Sequence, residues 1–365
     1  RAESLHFLGR RQEIVDLLLR HQGRIERLGD PALAGQHYFW LGWAHAWLGH
    51  REEAAQNLSR GLQEATRSGD EALMGRVHRA LALEWTYSGR PMDEAVTHAR
   101  QAVSFLERTQ DRFWFSQALF ALSYCCYYTG DFDSAIEAAE RLDTFGKSTG
   151  DRRARAESAI AGLSYATRGD WAKGGEVCRQ CLELAPDPFE AAFVLVCLGK
   201  ACSEAGDVDR AVPMLEQGVH LADQVRSRQW REWFRALLAE AYFLGGQTDK
   251  AREAARQALE VSTALGYSWG IGWTHQVLGR VAGAQGALEE GQRRLADALK
   301  SFASVRARFE SGRTHLFAAR LAHAQANRAA AMSHLEEARS LFRALRVPKY
   351  AQQADEFARE LDIRG

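Results

Sequence analysis

The sequence is poor in the residues that interrupt helices and in those that favour strands. Proline and isoleucine each occur only six times among 365 residues, whereas alanine and leucine are abundant. Proline breaks helix interiors, and isoleucine is one of the β-branched residues that are enriched in strands. A chain with few of either, and with many strong helix formers, is typical of an all-α fold.

The sequence also lacks a net charge, long apolar runs and a dense set of cysteines. Its 47 lysines and arginines equal its 47 aspartates and glutamates, so it has no basic surplus of the kind that nucleic-acid-binding proteins carry. No apolar run approaches the roughly 18 residues that suggest a membrane-spanning helix. We therefore expect neither nucleic acid nor a membrane as a partner. Six cysteines in so long a chain favour a reducing cytoplasm over a secreted disulfide scaffold.

A turn-like pattern recurs along the whole chain. In its clearest copies a glycine is followed by a polar residue, and an alanine follows four residues after that, as in Gly130, Asp131 and Ala135. The nine copies are at Gly9, Gly49, Gly89, Gly130, Gly169, Gly206, Gly246, Gly286 and Ala326. Successive copies are 37 to 41 residues apart. We interpret each copy as a turn between antiparallel helices, in which glycine ends one helix and the polar residue caps the next.

A second regularity supports this interpretation. Seven residues before each turn the side chain is small. The nine residues are Ala2, Gly42, Ala82, Ser123, Gly162, Gly199, Ala239, Gly279 and Ala319. Small residues at a regular position let two helix backbones approach closely, so we expect each pair of helices to cross there.

These positions match a known repeat pattern in phase. The second repeat places its large and small residues at Tyr38, Leu41, Gly42, Gly49, Ala54 and Leu58. The sixth repeat does so at Leu195, Leu198, Gly199, Gly206, Ala211 and Leu215. In this pattern the chain resembles the tetratricopeptide repeat (TPR) family, although its units are longer than the family's 34 residues. The resemblance implies a right-handed superhelix of about nine helix pairs over residues 1–346, followed by a capping helix over residues 347–365.

The 40-residue spacing is similar to a narrower group as well. Helical arrays of this kind lie at the ends of bacterial signalling ATPases, such as maltose-activator-like proteins and cyclase–ATPase fusions. The resemblance implies that the chain is the C-terminal region of a larger bacterial signalling or regulatory protein. The first helix also begins only a few residues before the first turn, so we expect the sequence to be part of a longer chain.

Three motifs could suggest catalysis or metal binding, and each fails on its context. Residues 266–270 match the G-x-S-x-G motif, but a helix rather than a strand is predicted before them. Residues 145–148 end like a phosphate-binding loop, but the first glycine of that loop is missing. The best zinc candidates are Cys178, Cys181, Cys197 and Cys202. Most of these lie at small apolar positions of the repeat, so we interpret them as core residues. We predict no catalytic residue, no metal and no cofactor.

The remaining candidates for function are on the first helix of each pair, which lines a concave groove in TPR proteins. The positions that face this groove in the family are rich in aromatic and basic residues here, the types that dominate binding hot spots. The predicted partner-binding residues are Phe39, Trp43, Trp47, Arg76, Arg79, Tyr87, Phe120, Tyr124, Tyr127, Tyr128, Lys200, Trp233, Phe243, Trp273 and Arg280.

Two functions remain open for such a groove. The first is a non-enzymatic interaction module that binds a protein or peptide segment, which includes other domains of its own full-length chain. The second is a sensor for a small molecule such as an oligosaccharide, whose ring faces would pack on tryptophan and tyrosine. A purely structural interpretation also exists, in which the long helices bury some of these aromatic side chains between repeats.

Overall fold

The computed structural model describes residues 1–225 and 228–363. These residues form twenty α-helices and no strand, which confirms the predicted all-α fold class. None of the helices described is both long and apolar enough to cross a lipid bilayer. Residues 364 and 365, the end of the predicted capping segment, lie outside the described residues.

The helices in chain order are α1 (Ala2–Phe7), α2 (Arg11–Leu28), α3 (Pro31–Leu48), α4 (Arg51–Ser68), α5 (Glu71–Tyr87), α6 (Met92–Glu107), α7 (Arg112–Thr129), α8 (Phe132–Thr149), α9 (Arg152–Glu157), α10 (Ala159–Arg168), α11 (Trp171–Leu184), α12 (Pro188–Ala205), α13 (Val208–Gln224), α14 (Arg228–Leu244), α15 (Thr248–Ala264), α16 (Ser268–Ala284), α17 (Leu288–Ser304), α18 (Arg308–Ala324), α19 (Arg328–Ala344) and α20 (Pro348–Ile363).

The chain divides into two compact units, residues 1–125 and residues 126–365, which we call unit 1 and unit 2. Unit 1 holds α1 to α6 and most of α7, and unit 2 holds the end of α7 and the helices from α8 onward. The division falls inside a helix, whereas the repeat pattern predicts one array over residues 1–346 and a separate cap.

Each of the nine sequence-predicted turns lies between two helices. The turn at Gly130 shows how the sequence produces it. Gly130 has a φ of +85°, a left-handed conformation that glycine adopts without steric cost. The carboxylate of Asp131 then accepts a hydrogen bond of 3.2 Å from the backbone N–H of Ser134, which caps the first turn of α8.

The small residues before the turns lie where helices cross. A methyl group on Gly42 would lie 2.8 Å from the backbone nitrogen of Leu58, and one on Gly162 would lie 2.7 Å from the carbonyl oxygen of Gly174. Both distances are too short for a carbon side chain, so α3 meets α4, and α10 meets α11, nearly backbone to backbone. The close crossing predicted at these positions is confirmed.

The two helices of a pair differ in how completely they are buried. In α12 every residue from Ala192 to Glu204 is buried. In α17 the buried residues are Gly291, Leu295, Ala298 and Phe302, which form the single stripe of a helix that packs on one side only. The first helices therefore make up the interior, and the second helices cover them.

Unit 2 also brings together helices that are far apart in the sequence. The ring centroids of Phe132 on α8 and Phe309 on α18 are 5.0 Å apart. A methyl group on Gly130 would lie 2.8 Å from the Cβ atom of Phe309 and 3.3 Å from the side chain of Leu345. In an open repeat array each repeat contacts only its neighbours, so unit 2 closes on itself.

Histidine pairs join helices or flank a turn at three places. The Nδ1 atoms are 3.1 Å apart in His45 and His50, 2.8 Å apart in His78 and His98, and 3.0 Å apart in His315 and His334. Burial, with a smaller contribution from the neighbouring His98, lowers the pKa of His78 to about 4. Burial, together with Arg90, lowers the pKa of His98 to about 4 as well. At neutral pH His78 and His98 are therefore uncharged, and the Nδ1–H of one ring donates to the Nδ1 atom of the other.

We predict that Gly42→Ala destabilises the protein. The added methyl group must displace the backbone of Leu58, and overpacking of this kind costs about 1–3 kcal/mol. The matched control is Gly23→Ala, because a methyl group there meets only the end of the Arg27 side chain at 3.9 Å. The control should gain about 0.5–1 kcal/mol from helix propensity. Urea unfolding of both variants measures the difference, and equal stabilities would contradict the close crossing.

We also predict that the His78–His98 pair makes the protein sensitive to acid. Between pH 6.5, the ordinary histidine pKa, and about pH 4, the unfolded chain binds protons that the folded pair does not. As the pH is lowered from 6.5 to about 4, the free energy of unfolding should therefore fall. Above pH 6.5 the pair should not affect it. His98→Leu should lose less stability between pH 6.5 and pH 4 than the parent protein. The control is His220→Leu, which replaces an exposed histidine outside the pair. Identical pH profiles for all three proteins would show that the pair has no such role.

Candidate functional site

The predicted partner-binding residues are mostly inside the protein. Eleven of the fifteen are buried: Phe39, Trp43, Arg79, Tyr87, Phe120, Tyr124, Tyr127, Tyr128, Lys200, Trp233 and Trp273. The four that are partly exposed are Trp47, Arg76, Phe243 and Arg280. The sequence pattern left open that some of these side chains are buried between repeats, and most of them are, because the first helices that carry them are enclosed. Their role in partner binding is a separate matter and stays a prediction.

In unit 1 the predicted residues form a cluster of stacked indole and guanidinium groups. The guanidinium carbon of Arg79 lies 4.6 Å from the ring centroid of Trp43 and 5.6 Å from that of Trp114. Arg79 also donates a hydrogen bond of 2.7 Å to the side-chain oxygen of Gln117. Stacking on the two rings and the hydrogen bond to the amide oxygen stabilise this buried cation. We call these residues, with Trp40 and Trp47, the unit 1 aromatic cluster.

The cluster extends to the partly exposed residues. The guanidinium carbon of Arg11 lies 4.3 Å from the ring centroid of Trp47. Arg76 lies 5.7 Å from the ring of Trp114 and pairs with Asp111, with its Nε atom 2.8 Å from the carboxylate. Trp47 and Arg76 are thus held in place by neighbours on one side while part of each remains open to solvent.

In unit 2 the corresponding helices carry a buried network of charges centred on Glu240. The carboxylate of Glu240 accepts hydrogen bonds of 2.8 Å from Lys200 and from Arg280, and it also pairs with Arg313. The side chains of Glu240, Lys200 and Arg313 are only 2–3% exposed. Arg313 reaches a second carboxylate, Glu310, at 3.1 Å. Such pairing is what makes the burial of so many charges tolerable.

The last helix joins this network from a distant part of the sequence. The ammonium group of Lys349 on α20 donates to the backbone oxygen of Glu204 at 2.7 Å and also pairs with the carboxylate of Glu204. The hydroxyl of Tyr350 donates to the same carboxylate at 2.9 Å. Lys200 pairs with Glu204 at 2.8 Å and so connects it to Glu240. We call the residues Lys200, Glu204, Glu240, Arg280, Glu310, Arg313, Lys349 and Tyr350 the Glu240 network.

The pKa values of the carboxylates follow from these contacts. Burial alone would raise the pKa of Glu204, but Lys200, Lys349 and Arg313 lower it to about 2. Burial is likewise outweighed at Glu240, where the three cations hold the pKa well below its ordinary value. Glu310 differs, because burial raises its pKa and Arg313 opposes this only in part. At neutral pH, Glu204 and Glu240 therefore carry full negative charges.

Aromatic rings surround the network on the same helices. The ring centroids of Trp269 and Trp273 are 4.5 Å apart, and Tyr128 lies 4.5 Å from Trp269. The ammonium nitrogen of Lys200 and the guanidinium carbon of Arg313 each lie 5.2 Å from the ring centroid of Trp273. The interior of unit 2 therefore combines charged and aromatic groups in contact.

Several residues of these clusters were missed by the sequence reasoning. Trp114, Trp269 and Glu310 lie one helical turn before the first groove position of the family pattern. A 40-residue repeat lengthens the first helix by one helical turn. Because an α-helix has 3.6 residues per turn, residues one helical turn earlier lie on the same face of that helix. A search extended by one turn could have found them. Lys349 and Tyr350 follow the last repeated turn, where the positional rule no longer applies, so no signal of that kind could have found them.

The cysteines do not form a site. All six are free and buried, which agrees with their interpretation as core residues. Burial raises the pKa of Cys181 to about 11, and that of Cys178 well above its ordinary value. These groups are thiols at neutral pH, and the thiolate is the form that binds metals. Across residues 1–225 and 228–363, no group of three or more metal-ligating side chains is found together.

Comparison with known proteins identifies the repeat type. The tetratricopeptide repeat family TPR_6 matches residues 237–261, which cover the end of α14 and most of α15. No curated protein matches the sequence. The family match covers 25 of the 365 residues and supports a TPR-type repeat array.

Solved structures show the same fold. The crystal structure of a Rap protein complexed with competence and sporulation factor is similar with a TM-score of 0.61 at 13% identity, over 92% of this chain and 99% of that one. The crystal structure of the apo form of RapI is similar with a TM-score of 0.53 at 12% identity, over 74% of this chain and 98% of that one. At these identities the likeness concerns the fold alone.

We predict that Glu240→Gln strongly destabilises unit 2. The substitution removes one negative charge and leaves the buried Lys200 and Arg313, and the partly exposed Arg280, with an incomplete set of partners, which costs about 3–5 kcal/mol. The matched control is Glu253→Gln, whose carboxylate is 58% exposed and pairs with Arg256 at 3.5 Å in solvent. The control should change little, because exposed ion pairs contribute little. Guanidinium unfolding followed by circular dichroism compares the two, and a similar small loss for both would show that the network is not needed for folding.

Proposed function

We propose that this chain is a non-enzymatic protein-interaction module that holds a protein or peptide segment against the first helices of its repeats. The observation that carries the proposal is the edge of the unit 1 aromatic cluster, where Trp47 and Arg76 are partly exposed and already held in place. Tryptophan and arginine are the side chains that most often dominate binding energy at protein interfaces. Groups held before binding also lose less conformational entropy when a partner arrives.

The fold supports the same function. A Rap protein with a similar fold was crystallised as a complex with competence and sporulation factor. We propose that the present chain acts within a longer bacterial cytoplasmic protein of signalling or regulation. Its partner is then either a separate protein or peptide, or another domain of that same chain.

A small-molecule sensor is the second candidate, and one feature of unit 2 favours it. A cavity of about 750 Å³ lies between the turn from α10 to α11 and the start of α20, a volume within the range of small-ligand sites. Its lining includes Trp171, which is 44% exposed, and Tyr165. An open indole face of this kind suits the flat face of a sugar ring, so an oligosaccharide is the ligand to test there.

We predict that Trp47→Ala weakens partner binding while it leaves folding nearly intact. Loss of a hot-spot tryptophan costs about 2 kcal/mol or more of binding free energy. Peptides selected from a random library against the full chain provide the ligand, and calorimetric titration measures their affinity for each variant. Thermal melts check that Trp47→Ala is folded.

The matched control is Trp171→Ala, which removes an exposed tryptophan of unit 2. Peptide binding that is lost in Trp47→Ala and kept in Trp171→Ala supports the proposed module. Titration with oligosaccharides, followed by tryptophan fluorescence, covers the second candidate. Saturable sugar binding that disappears in Trp171→Ala, without any peptide binding to the parent protein, would replace the first candidate by the second.

A further inference from the structure

The Glu240 network does not balance its own charges. Its basic members are Lys200, Arg280, Arg313 and Lys349, and its carboxylates are Glu204, Glu240 and Glu310. Four positive charges against three negative ones leave a surplus of one positive charge. Since burial raises the pKa of Glu310, the true surplus at neutral pH is at least this large. The remaining titratable neighbour, Tyr350, is uncharged because burial raises its pKa well above the ordinary value.

Hydrogen-bond donors without acceptors lie in the same place. The indole Nε1 atoms of Trp269 and Trp273 and the Nε atom of Arg313 are buried and have no hydrogen-bond partner. The two tryptophans are themselves only 0–1% exposed. A buried donor without an acceptor costs free energy, and native proteins leave few such groups. Three of them on neighbouring side chains therefore need an explanation.

The other donors and two cations of the network lie around the side chain of Trp273. The rings of Trp269 and Trp273 are 4.5 Å apart, and both Lys200 and Arg313 lie 5.2 Å from the ring centroid of Trp273. Positive charge together with unused N–H groups is the environment that an anion requires. A single surplus charge matches a monovalent anion better than a phosphate dianion. The enclosure of the site favours a small free ion over a segment of another protein.

We propose that the interior of unit 2 binds one small monovalent anion of the halide class, held by the indole N–H groups of Trp269 and Trp273 and by Arg313. The ion completes the charge balance of the Glu240 network. It therefore stabilises the contact of α20 with α12, which depends on Lys349, Tyr350 and Glu204. This inference does not depend on partner binding in unit 1, so either proposal can fail without the other.

Thermal unfolding in sodium chloride, sodium bromide and sodium gluconate at equal ionic strength tests the proposal. Equal ionic strength keeps the screening of surface charges the same, so a difference reports binding. Chloride and bromide should raise the melting temperature of the parent protein in a saturable way, since a ligand that binds only the folded state stabilises it. Gluconate, which is much larger than a halide ion, should not. Crystals soaked in bromide should show an anomalous peak beside Trp273.

Two variants separate an anion site from a merely structural network. Trp273→Phe keeps the ring and removes the N–H donor, so the apparent affinity for chloride should fall about tenfold. Glu310→Gln raises the surplus charge and should increase the affinity for chloride, whatever it does to stability in gluconate. Trp85→Phe, at a partly exposed site in unit 1, is the matched control and should bind chloride as the parent does.

The outcomes are distinct. Equal melting temperatures in chloride and gluconate, or the same chloride dependence in Trp273→Phe as in the parent, would overturn the proposal. If Glu310→Gln does not fold, the comparison of Trp273→Phe with Trp85→Phe still decides. Acetate or an acidic peptide that stabilises the parent protein where chloride does not would reject the halide and identify a carboxylate as the anion.

Discussion

The enclosure of the first helix of each pair is the constraint on which the rest of the structure depends. Such a helix has neighbours on nearly every side, as the continuous burial of Ala192 to Glu204 shows. One side must admit its partner helix at close range, which only a small residue allows, and Gly42 and Gly162 are at such crossings. The other sides need either apolar side chains or polar ones that pair with each other. The repeated small residues, the stacked rings and the ion pairs are all consequences of this enclosure.

The two units surround their enclosed first helices with different kinds of side chain. In unit 1 the buried cation Arg79 is satisfied by the faces of Trp43 and Trp114 and by an amide oxygen. In unit 2 the same helix face carries carboxylates and cations in contact, with Glu240 as their centre. A network of buried charges is a costly way to fill an interior compared with apolar packing. Because this network is present and has one positive charge in excess, we propose that unit 2 binds an anion. We propose that the protein or peptide partner binds at the exposed edge of the unit 1 aromatic cluster.

The closure of unit 2 connects stability with these roles. Glu204 accepts Lys349 and Tyr350 from α20 while it pairs with Lys200 of its own helix. The end of the array thereby contacts a helix about 145 residues earlier in the chain. Any event that changes the charge of this network, such as protonation or the arrival of an anion, acts on the docking of α20 as well. The TPR-type fold explains the helix pairs, and the closure is an addition specific to these residues.

The sequence by itself determined the local structure. Helix starts, helix ends and crossings depend on residues close together in the chain, such as Gly130 with Asp131, so a repeated short pattern was enough to predict them. The aromatic and basic composition of the first helices was predictable for the same reason. Whether those side chains face solvent depends on what packs against them from other repeats, and only the tertiary structure decided that most are buried. The tertiary structure likewise decided that Glu204 pairs with residues of α20 and that a surplus positive charge lies around Trp273. Both depend on residues far apart in the chain, because every group within a few ångströms of a buried charge helps to neutralise it, whatever its position in the sequence.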